Sequence, residues 1–300
     1  MEGGMDHSLK QQTMKDSKFG FLLVLPSLLL LGIIVIFPIL YVFVLSSTVE
    51  TNGINVWAGL KNYKSILFED SKFWPYLLNS IKYMVYGVGS AFIVGLFVSM
   101  SLNAINHLRG FARTVSLLAW AVPPVIASLM WKWVLNDTNG ALNFILMSIG
   151  ILKHPIAWLA MPNLTMIVLT QVHAWTTIPL IMVILLAGLQ TIPNELYEVA
   201  DIDGAGSAQK FKAITIPMLM PSIQSSVMIS TIFAFRTFDI VFTLTRGGPG
   251  ETTEMLVTYI YNTAFVFGRL GYASALSVIM VFLSMAIVAL FVKILPAKDL

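Results

Sequence analysis

The sequence predicts an all-α integral membrane protein with six transmembrane helices, and three observations lead to this prediction. Of the 300 residues, 57% are hydrophobic and only 11% are charged, whereas about 25% of an ordinary soluble domain is charged. The mean hydropathy of the chain is +0.82. The apolar residues also fall in long blocks, and a hydrocarbon core about 30 Å thick is crossed by roughly 20 such residues in a helix. These observations exclude a water-soluble globular fold.

Six apolar segments are long enough to span a membrane. The first is too long for the apolar core of a signal peptide, and no small-residue cleavage site follows it, so we expect it to be retained as a helix. The third contains the pair Pro123–Pro124 at its middle, and the fourth contains Pro179, which we expect to kink or unwind that helix. The predicted spans are residues 19–46, 81–102, 114–134, 164–189, 218–244 and 273–294.

The distribution of basic residues predicts the orientation of the chain. Lys10, Lys15 and Lys18 precede the first span, and no further Lys or Arg occurs before Lys61. Positive residues favour the cytoplasmic side, and the first helix usually dominates. The N-terminus is therefore predicted to lie in the cytoplasm, and six spans return the C-terminus to the same side.

Several classes of chemistry find no support in the sequence. The chain has no cysteine, which removes disulfides, thiol catalysis and cysteine metal sites. Its four histidines are scattered, so no metal site is expected. The Gly-x-x-x-x-Gly-Lys-Ser/Thr loop that cradles ATP phosphates is absent. The net charge of +3 is of the size that basic residues at helix ends produce, so no nucleic-acid partner is implied.

A hydrophilic segment, residues 190–217, interrupts the apolar pattern between the fourth and fifth spans. A short helix is expected to open with Glu195 and Glu198 in its first turn, where acidic side chains complement the helix dipole. Gly204 then permits a turn, and a second short helix is expected to run as far as Pro217. We expect two small helices at right angles to the spans, outside the membrane.

The same segment resembles the cytoplasmic signature of binding-protein-dependent ABC importer permeases. That signature is Glu-Ala-Ala, three residues, Gly, nine residues, and Ile-x-Leu-Pro. Here residues 198–200 read Glu-Val-Ala, Gly204 follows after three residues, and residues 214–217 read Ile-Thr-Ile-Pro after nine more. The spacing matches throughout, and the two departures, Val199 and Ile216, keep an apolar residue at each position.

The resemblance implies an ABC type I importer permease fold over residues 19–300, behind a cytoplasmic tail of residues 1–18. In that family the 190–217 segment holds the coupling helix, which docks into a cleft on a cytosolic ATPase subunit. Because the segment must face ATP, the resemblance also implies an N-in, C-in, multi-pass protein of the cytoplasmic (inner) membrane of a prokaryote. The ATPase contacts that it implies are Glu195, Glu198, Ala200, Asp203 and Gly204.

The resemblance also implies a set of partners. The family pairs two permease subunits, with a heterodimer expected here, and adds two cytosolic ATPase subunits and an extracytoplasmic sugar-binding protein. This chain would then be no enzyme, with no catalytic residue and no cofactor of its own. ATP and Mg²⁺ would be used by the partner ATPase.

A second group of motifs narrows the family. Residues 238–249 read Phe-Asp-Ile-Val-Phe-Thr-Leu-Thr-Arg-Gly-Gly-Pro, residues 271–275 read Gly-Tyr-Ala-Ser-Ala, and residues 59–63 read Gly-Leu-Lys-Asn-Tyr. Together they look like the carbohydrate-uptake, maltose-type branch, and the resemblance covers nearly the whole chain. It implies a di- or oligosaccharide as the transported substrate. Glycerol-3-phosphate or another polyol derivative is the alternative.

Ionisable residues inside a span are costly and point to function. In the fifth span, Arg236 and Asp239 lie three residues apart, so we expect them to share a helix face, where they could pair. Matching to the maltose-type permeases places both at sugar-contacting positions, together with residues around Pro179. The alternatives are a structural ion pair that holds helices together, residues that line a wet cavity without touching substrate, and plain packing of Trp175. The predicted substrate-binding residues are Arg236, Asp239, His173, Thr176, Thr177, Leu180 and Trp175.

Two other functions remain open on the sequence. A secondary transporter would need no ATPase, but it leaves the hydrophilic segment 190–217 unexplained. A membrane-embedded transferase would need clustered acids or histidines near the membrane surface. Asp239 is the only acid within the predicted spans, which disfavours such an enzyme.

Overall fold

The computed structural model describes residues 20–51, 53–105 and 109–294, and the chain is almost entirely helical there. The predicted cytoplasmic tail, residues 1–18 with its three lysines Lys10, Lys15 and Lys18, lies outside the described residues. Two compact units are formed. The first comprises the described residues up to Ser65 with Thr263–Val278, and the second comprises Ile66–Asn262 with the described residues from Ile279 onward.

Helices account for nearly all of the described secondary structure, and a single hairpin supplies the strands. In chain order the elements are α1 (Gly20–Ser46), β1 (Thr48–Thr51), β2 (Ile54–Trp57), α2 (Lys61–Lys64), α3 (Phe73–Ala104), α4 (Arg109–Ala121), α5 (Pro124–Val134), α6 (Ala141–Ser148), α7 (Pro162–Leu189), α8 (Asn194–Ile202), α9 (Ser207–Phe235), α10 (Asp239–Leu244), α11 (Leu256–Val266) and α12 (Leu270–Ile294).

The predicted six spans agree with the structure when the bent pair α4 and α5 counts as one span. Within the described residues, α1, α3, α7, α9 and α12 are each long and apolar enough to cross a membrane, which makes five, and that pair brings the number to six. The pair meets at an angle of 96°. Pro123 and Pro124 cause this bend, because a proline supplies no backbone N–H and disfavours helical geometry in the residue before it.

The fifth span ends earlier than predicted. Residues 218–244 were expected to form one helix, but α9 ends at Phe235, and α10 begins only at Asp239. The backbone N–H of Arg236 bonds to Phe233 O at 3.2 Å, which tightens the last turn of α9. The Thr237 hydroxyl donates to the same carbonyl at 2.8 Å. These two bonds occupy the Phe233 carbonyl, which in a continuing α-helix would accept a bond from the backbone N–H of Thr237. The helix therefore ends there.

The predicted second coupling helix is not a separate element. Residues 207–217 instead form the first turns of α9, which includes a π-helical turn at Phe211–Thr215 just before Pro217. In an α-helix the ring of a proline clashes with the carbonyl of the residue four positions earlier. A π-helical turn shifts the hydrogen-bonding pattern by one residue, which moves that carbonyl away from the ring. The helix therefore continues through Pro217. Helix α7 likewise runs through Pro179 as one helix, so of the kink or unwinding expected there, the unwinding does not occur.

In the first unit, a buried asparagine anchors the end of α1 to a hairpin that the sequence did not predict. Strands β1 and β2 are antiparallel. The Asn62 side chain donates hydrogen bonds to Ser46 O at 2.9 Å and to Thr48 O at 2.8 Å. The hydroxyls of Tyr63 and Ser46 are also bonded, at 2.6 Å. The motif at residues 59–63 therefore has a structural role in this unit.

In the second unit, α3 and α7 pack closely along a stripe of small residues. Gly87, Ala91, Gly95 and Ser99 lie four residues apart on the buried face of α3. Small residues at this spacing let the backbones of membrane helices approach one another. A Cβ atom at Gly95 would lie 2.9 Å from Ile181 Cγ2, closer than carbon atoms pack. The stripe therefore sets the separation of the two helices.

The loop between α10 and α11 is joined to the start of α3 by the carboxylate of Glu251. Lys72 Nζ and Tyr76 OH each donate a hydrogen bond of 2.7 Å to Glu251, and the Lys72 bond chiefly holds the pKa of that carboxyl below its ordinary value. Glu254 accepts a bond of 3.0 Å from Asn262 Nδ2. Burial raises the pKa of the Glu254 carboxyl, because a charged group loses hydration there.

Candidate functional site

A cavity of about 440 Å³ lies inside the second unit, where α7 meets the breaks in two other spans. One wall comes from α7, one from the α4–α5 break, and one from the α9–α10 break. A broken helix leaves backbone N–H and C=O groups without partners inside the helix, and a membrane protein tolerates such groups where they line a cavity. The lining residues are Trp120, Val122, Pro124, His173, Thr176, Thr177, Leu180, Phe233, Arg236, Thr237, Phe238, Asp239 and Ile240.

The α7 wall carries three polar side chains that the sequence predicted. His173 is only 3% exposed, and its Nδ1 atom makes no hydrogen bond. The hydroxyls of Thr176 and Thr177 both donate to His173 O, at 2.8 and 2.9 Å. Each of these hydroxyl oxygens can still accept a bond. The wall therefore offers two hydroxyl acceptors to a ligand, beside the apolar side chain of Leu180.

Arg236 and Asp239 reach the same cavity from the α9–α10 break. Arg236 caps the C-terminal end of α9 and Asp239 is the first residue of α10, so they do not share one helix face as predicted. Both residues are exposed, and they do not form an ion pair with one another; the pairs described are Lys72–Glu251 and Lys210–Asp201. Their charged groups are therefore available to a ligand in the cavity.

Aromatic rings complete the cavity, and the sequence did not identify them as site residues. Trp120 is 57% exposed and Phe233 is 52% exposed. Phe238 stacks on Phe242 with ring centroids 4.8 Å apart. Trp120 comes three residues before the Pro123–Pro124 pair. Its position next to a predicted helix break is the feature of the sequence that could have identified it as a site residue. Flat apolar faces of this kind suit ligands with apolar faces of their own.

Trp175 is the one predicted substrate residue that the structure does not bring to the cavity lining. Its ring packs edge-on against Trp131 with centroids 5.7 Å apart, and it is half-buried. The alternative of plain packing fits this residue. The other six predicted residues lie together.

The coupling segment forms an exposed amphipathic helix, α8. Glu195, Glu198, Asp203 and Gly204 are exposed and Ala200 is half-buried. Gly204 has a φ of +73°, a conformation that favours glycine. The turn at Gly204 brings the chain from α8 back to the start of α9.

Two contacts fix α8 on α9. Lys210 Nζ lies 2.6 Å from Asp201 Oδ1, and the hydroxyls of Tyr197 and Thr215 are hydrogen-bonded at 3.0 Å. Helix α9 has 29 residues and ends at the central cavity, so it spans roughly 40 Å at 1.5 Å per residue. One continuous helix therefore connects α8 to the cavity wall.

Two apolar side chains of α8 also face outward, and sequence reasoning missed them. Val199 is 58% exposed and Ile202 is 86% exposed. They lie three residues apart, on one face of the helix.

Within the described residues no group of three or more His, Asp or Glu side chains could hold a metal ion, so the site residues do not form a metal centre.

The helical bundle, its polar cavity and its exposed short helix define a membrane transport subunit. The chain belongs to the family of binding-protein-dependent transport system inner membrane components, whose model matches residues 91–298. The family acts with a second permease, ATPase subunits and a binding protein, and the ATPase is a separate subunit. The predicted family, the absence of an ATPase in this chain and the membrane location are thereby confirmed.

Similar proteins extend over almost the full chain. It is 35% identical to the sulfoquinovosyl glycerol transport system permease protein SmoG of Agrobacterium fabrum, over 95% of this chain and 92% of that protein. It is 32% identical to the trehalose/maltose transport system permease protein MalF of Thermococcus litoralis, over 97% and 98%. A crystal structure of a bacterial ABC transporter that imports alginate matches with a TM-score of 0.83 at 20% identity, over 96% and 99%. The predicted type I importer fold is confirmed.

Replacing Ile202 by Ser is expected to weaken binding of the ATPase subunit while leaving the fold intact. Ile202 is 86% exposed, so its side chain contributes little to this chain's own packing. Burying such a side chain in a partner's cleft is worth about 1.5–3 kcal/mol, which corresponds to at least a tenfold change in affinity. The measurement is isothermal titration of the ATPase subunit into the permease pair. Ile151→Ser, at a 67% exposed position outside the coupling segment, is the matched control, and an equal loss in both variants would contradict the assignment.

Proposed function

We propose that this permease subunit moves a sugar, a di- or oligosaccharide, through the central cavity by alternating access driven by ATP. The cavity is the observation that carries the proposal. It combines an arginine, a carboxylate, an imidazole and two threonine hydroxyls with the rings of Trp120 and Phe233. A sugar presents hydroxyl groups and flat apolar ring faces, and a site for it needs polar groups and aromatic rings together.

The relatives support this choice of substrate class. One is named for trehalose and maltose and another for sulfoquinovosyl glycerol, and both names refer to glycosides. Glycerol-3-phosphate remains the alternative substrate, because Arg236 is unpaired in the cavity and could meet a phosphate. Asp239, which lines the same cavity, disfavours a strongly anionic ligand. We therefore favour a di- or oligosaccharide over glycerol-3-phosphate.

In this proposal, energy enters through α8. The exposed residues Glu195, Glu198, Asp203 and Gly204, with Ala200, contact the ATPase, which binds ATP and Mg²⁺. Closure of the ATPase dimer moves α8, and the contacts between α8 and α9 carry that movement to Arg236 at the cavity. A change in the cavity's shape then releases the sugar on the other side of the membrane.

The proposed complex holds two different permease subunits. Helix α1 supports the presence of a second permease, because the 18-residue stretch that qualifies it as a span has no buried residue, so its apolar surface is available to lipid and to a partner. A sugar-binding protein delivers the substrate from outside the membrane. The cavity in this chain then faces its counterpart across the permease pair.

We further propose the N-in, C-in orientation, which places α8 in the cytoplasm beside the ATPase. The chain has no cysteine, so single-cysteine variants report topology without background. Ala208→Cys and Lys153→Cys are both at exposed positions, on α9 beside the coupling segment and in the loop before α7. In intact right-side-out vesicles, a membrane-impermeant maleimide should label Lys153→Cys and not Ala208→Cys. The reverse labelling would contradict the orientation.

Replacing Arg236 or Asp239 by Ala should reduce sugar uptake in proteoliposomes that contain the complete complex. Hydrogen bonds to charged groups are worth about 1.5–3 kcal/mol, so uptake per ATP hydrolysed should fall by roughly tenfold or more. Radiolabelled maltose, trehalose, sulfoquinovosyl glycerol and glycerol-3-phosphate form the substrate panel. Arg113→Ala, which removes an exposed arginine outside the cavity, is the control and should leave uptake unchanged.

Normal uptake and normal sugar-stimulated ATPase activity in both cavity variants would contradict the site. Uptake of glycerol-3-phosphate alone would favour the alternative substrate.

A further inference from the structure

Helix α3 contributes no residue to the lining of the central cavity. Two of its residues, Tyr83 and Gly87, nevertheless form a socket around the ring of His173, which does line the cavity. The Tyr83 ring, which is fully buried, lies with its centroid 5.2 Å from that of the His173 ring. One turn further along α3, Gly87 faces the same imidazole. A Cβ atom at Gly87 would lie 3.0 Å from His173 Cδ2, well inside the 3.5–4.0 Å at which carbon atoms pack.

The small size of residue 87 is required by the imidazole rather than by the backbone of α7. The same Cβ atom would lie 3.7 Å from Thr170 O, which is an ordinary contact. An alanine at position 87 is therefore compatible with the packing of the two helices. The side chain that it would displace is His173.

Hydrogen bonds do not fix the orientation of this imidazole in the structure. Its Nδ1 atom has no partner, and its Nε2 atom lies 3.4 Å from Thr177 Oγ1, beyond the usual range of 2.7–3.2 Å. The ring is nevertheless 97% buried, since only 3% of the residue is exposed. The walls of the socket, Tyr83 and Gly87, therefore hold the ring in place.

We propose that Gly87 and Tyr83 are positioning residues that hold the His173 imidazole in the orientation that binds a sugar hydroxyl. This inference rests on the proposed function, in which His173 contacts the sugar. His173 lines the cavity, and its buried Nδ1 atom has no hydrogen-bond partner. Because a hydrogen bond has a narrow range of favourable distances, a displacement of the imidazole by a few tenths of an ångström, which makes room for a new Cβ atom, weakens that bond.

The test is Gly87→Ala in proteoliposomes that contain the complete complex, with radiolabelled maltose, or whichever sugar of the panel above is taken up, as the probe. Sugar uptake per ATP hydrolysed should fall about two- to tenfold, the equivalent of one hydrogen bond. Gly89→Ala is the matched control, because it makes the same substitution two residues along α3, where a Cβ atom meets nothing within 4 Å. Both changes raise helix propensity equally, so lost helix stability cannot explain a difference.

The decisive measurement repeats Gly87→Ala in a His173→Ala background. If Gly87 acts through the imidazole, the second substitution should have no further effect once the imidazole is absent. An equal loss with and without His173 would overturn the inference, as would normal uptake by Gly87→Ala where His173→Ala is impaired. If His173→Ala itself transports normally, the role of His173 in the proposed function fails, and the socket fails with it.

Discussion

The close approach of α3 and α7 is the contact on which the second unit depends. Gly87, Ala91, Gly95 and Ser99 keep one face of α3 nearly flat, so the ridge of α7 can lie against it. In a membrane the hydrophobic effect does not favour helix–helix contacts over helix–lipid contacts. Close packing of the helices drives their association instead. The contact buries Tyr83 and His173, and His173 also lines the cavity together with Thr176, Thr177 and Leu180.

The cavity exists because two neighbouring spans are broken while α7 is not. The prolines at 123 and 124 turn α4 away from α5, and the carbonyl of Phe233, already bonded by Arg236 and Thr237, ends α9. Both breaks occur at the wall of the same cavity. An unbroken bundle would fill this space with apolar side chains. The breaks instead bring polar groups to a depth where ligand or water must satisfy them.

Much of the fold could be predicted from the sequence, because long apolar blocks and basic residues report directly on a bilayer. Six of the seven residues that the family motifs predicted as substrate contacts line the same cavity. Local sequence patterns could not predict where the helices break or which further residues contribute to the site. Whether a proline ends, bends or merely interrupts a helix depends on neighbouring contacts: Pro123 breaks a span, whereas Pro179 and Pro217 do not. Trp120, Ile202 and Gly87 have roles set by what lies opposite them, and a single sequence does not contain that information.

The central claim is that an ATPase bound at α8 drives a sugar through the cavity, and reconstituted transport tests it most directly. Proteoliposomes should hold the permease pair with its ATPase subunits, ATP and Mg²⁺ on the α8 side, and the sugar-loaded binding protein on the other. The account predicts sugar accumulation that requires all of these components and stops when the ATPase or ATP is omitted. Accumulation by the permeases alone, without ATPase or ATP, would contradict it and indicate a secondary transporter.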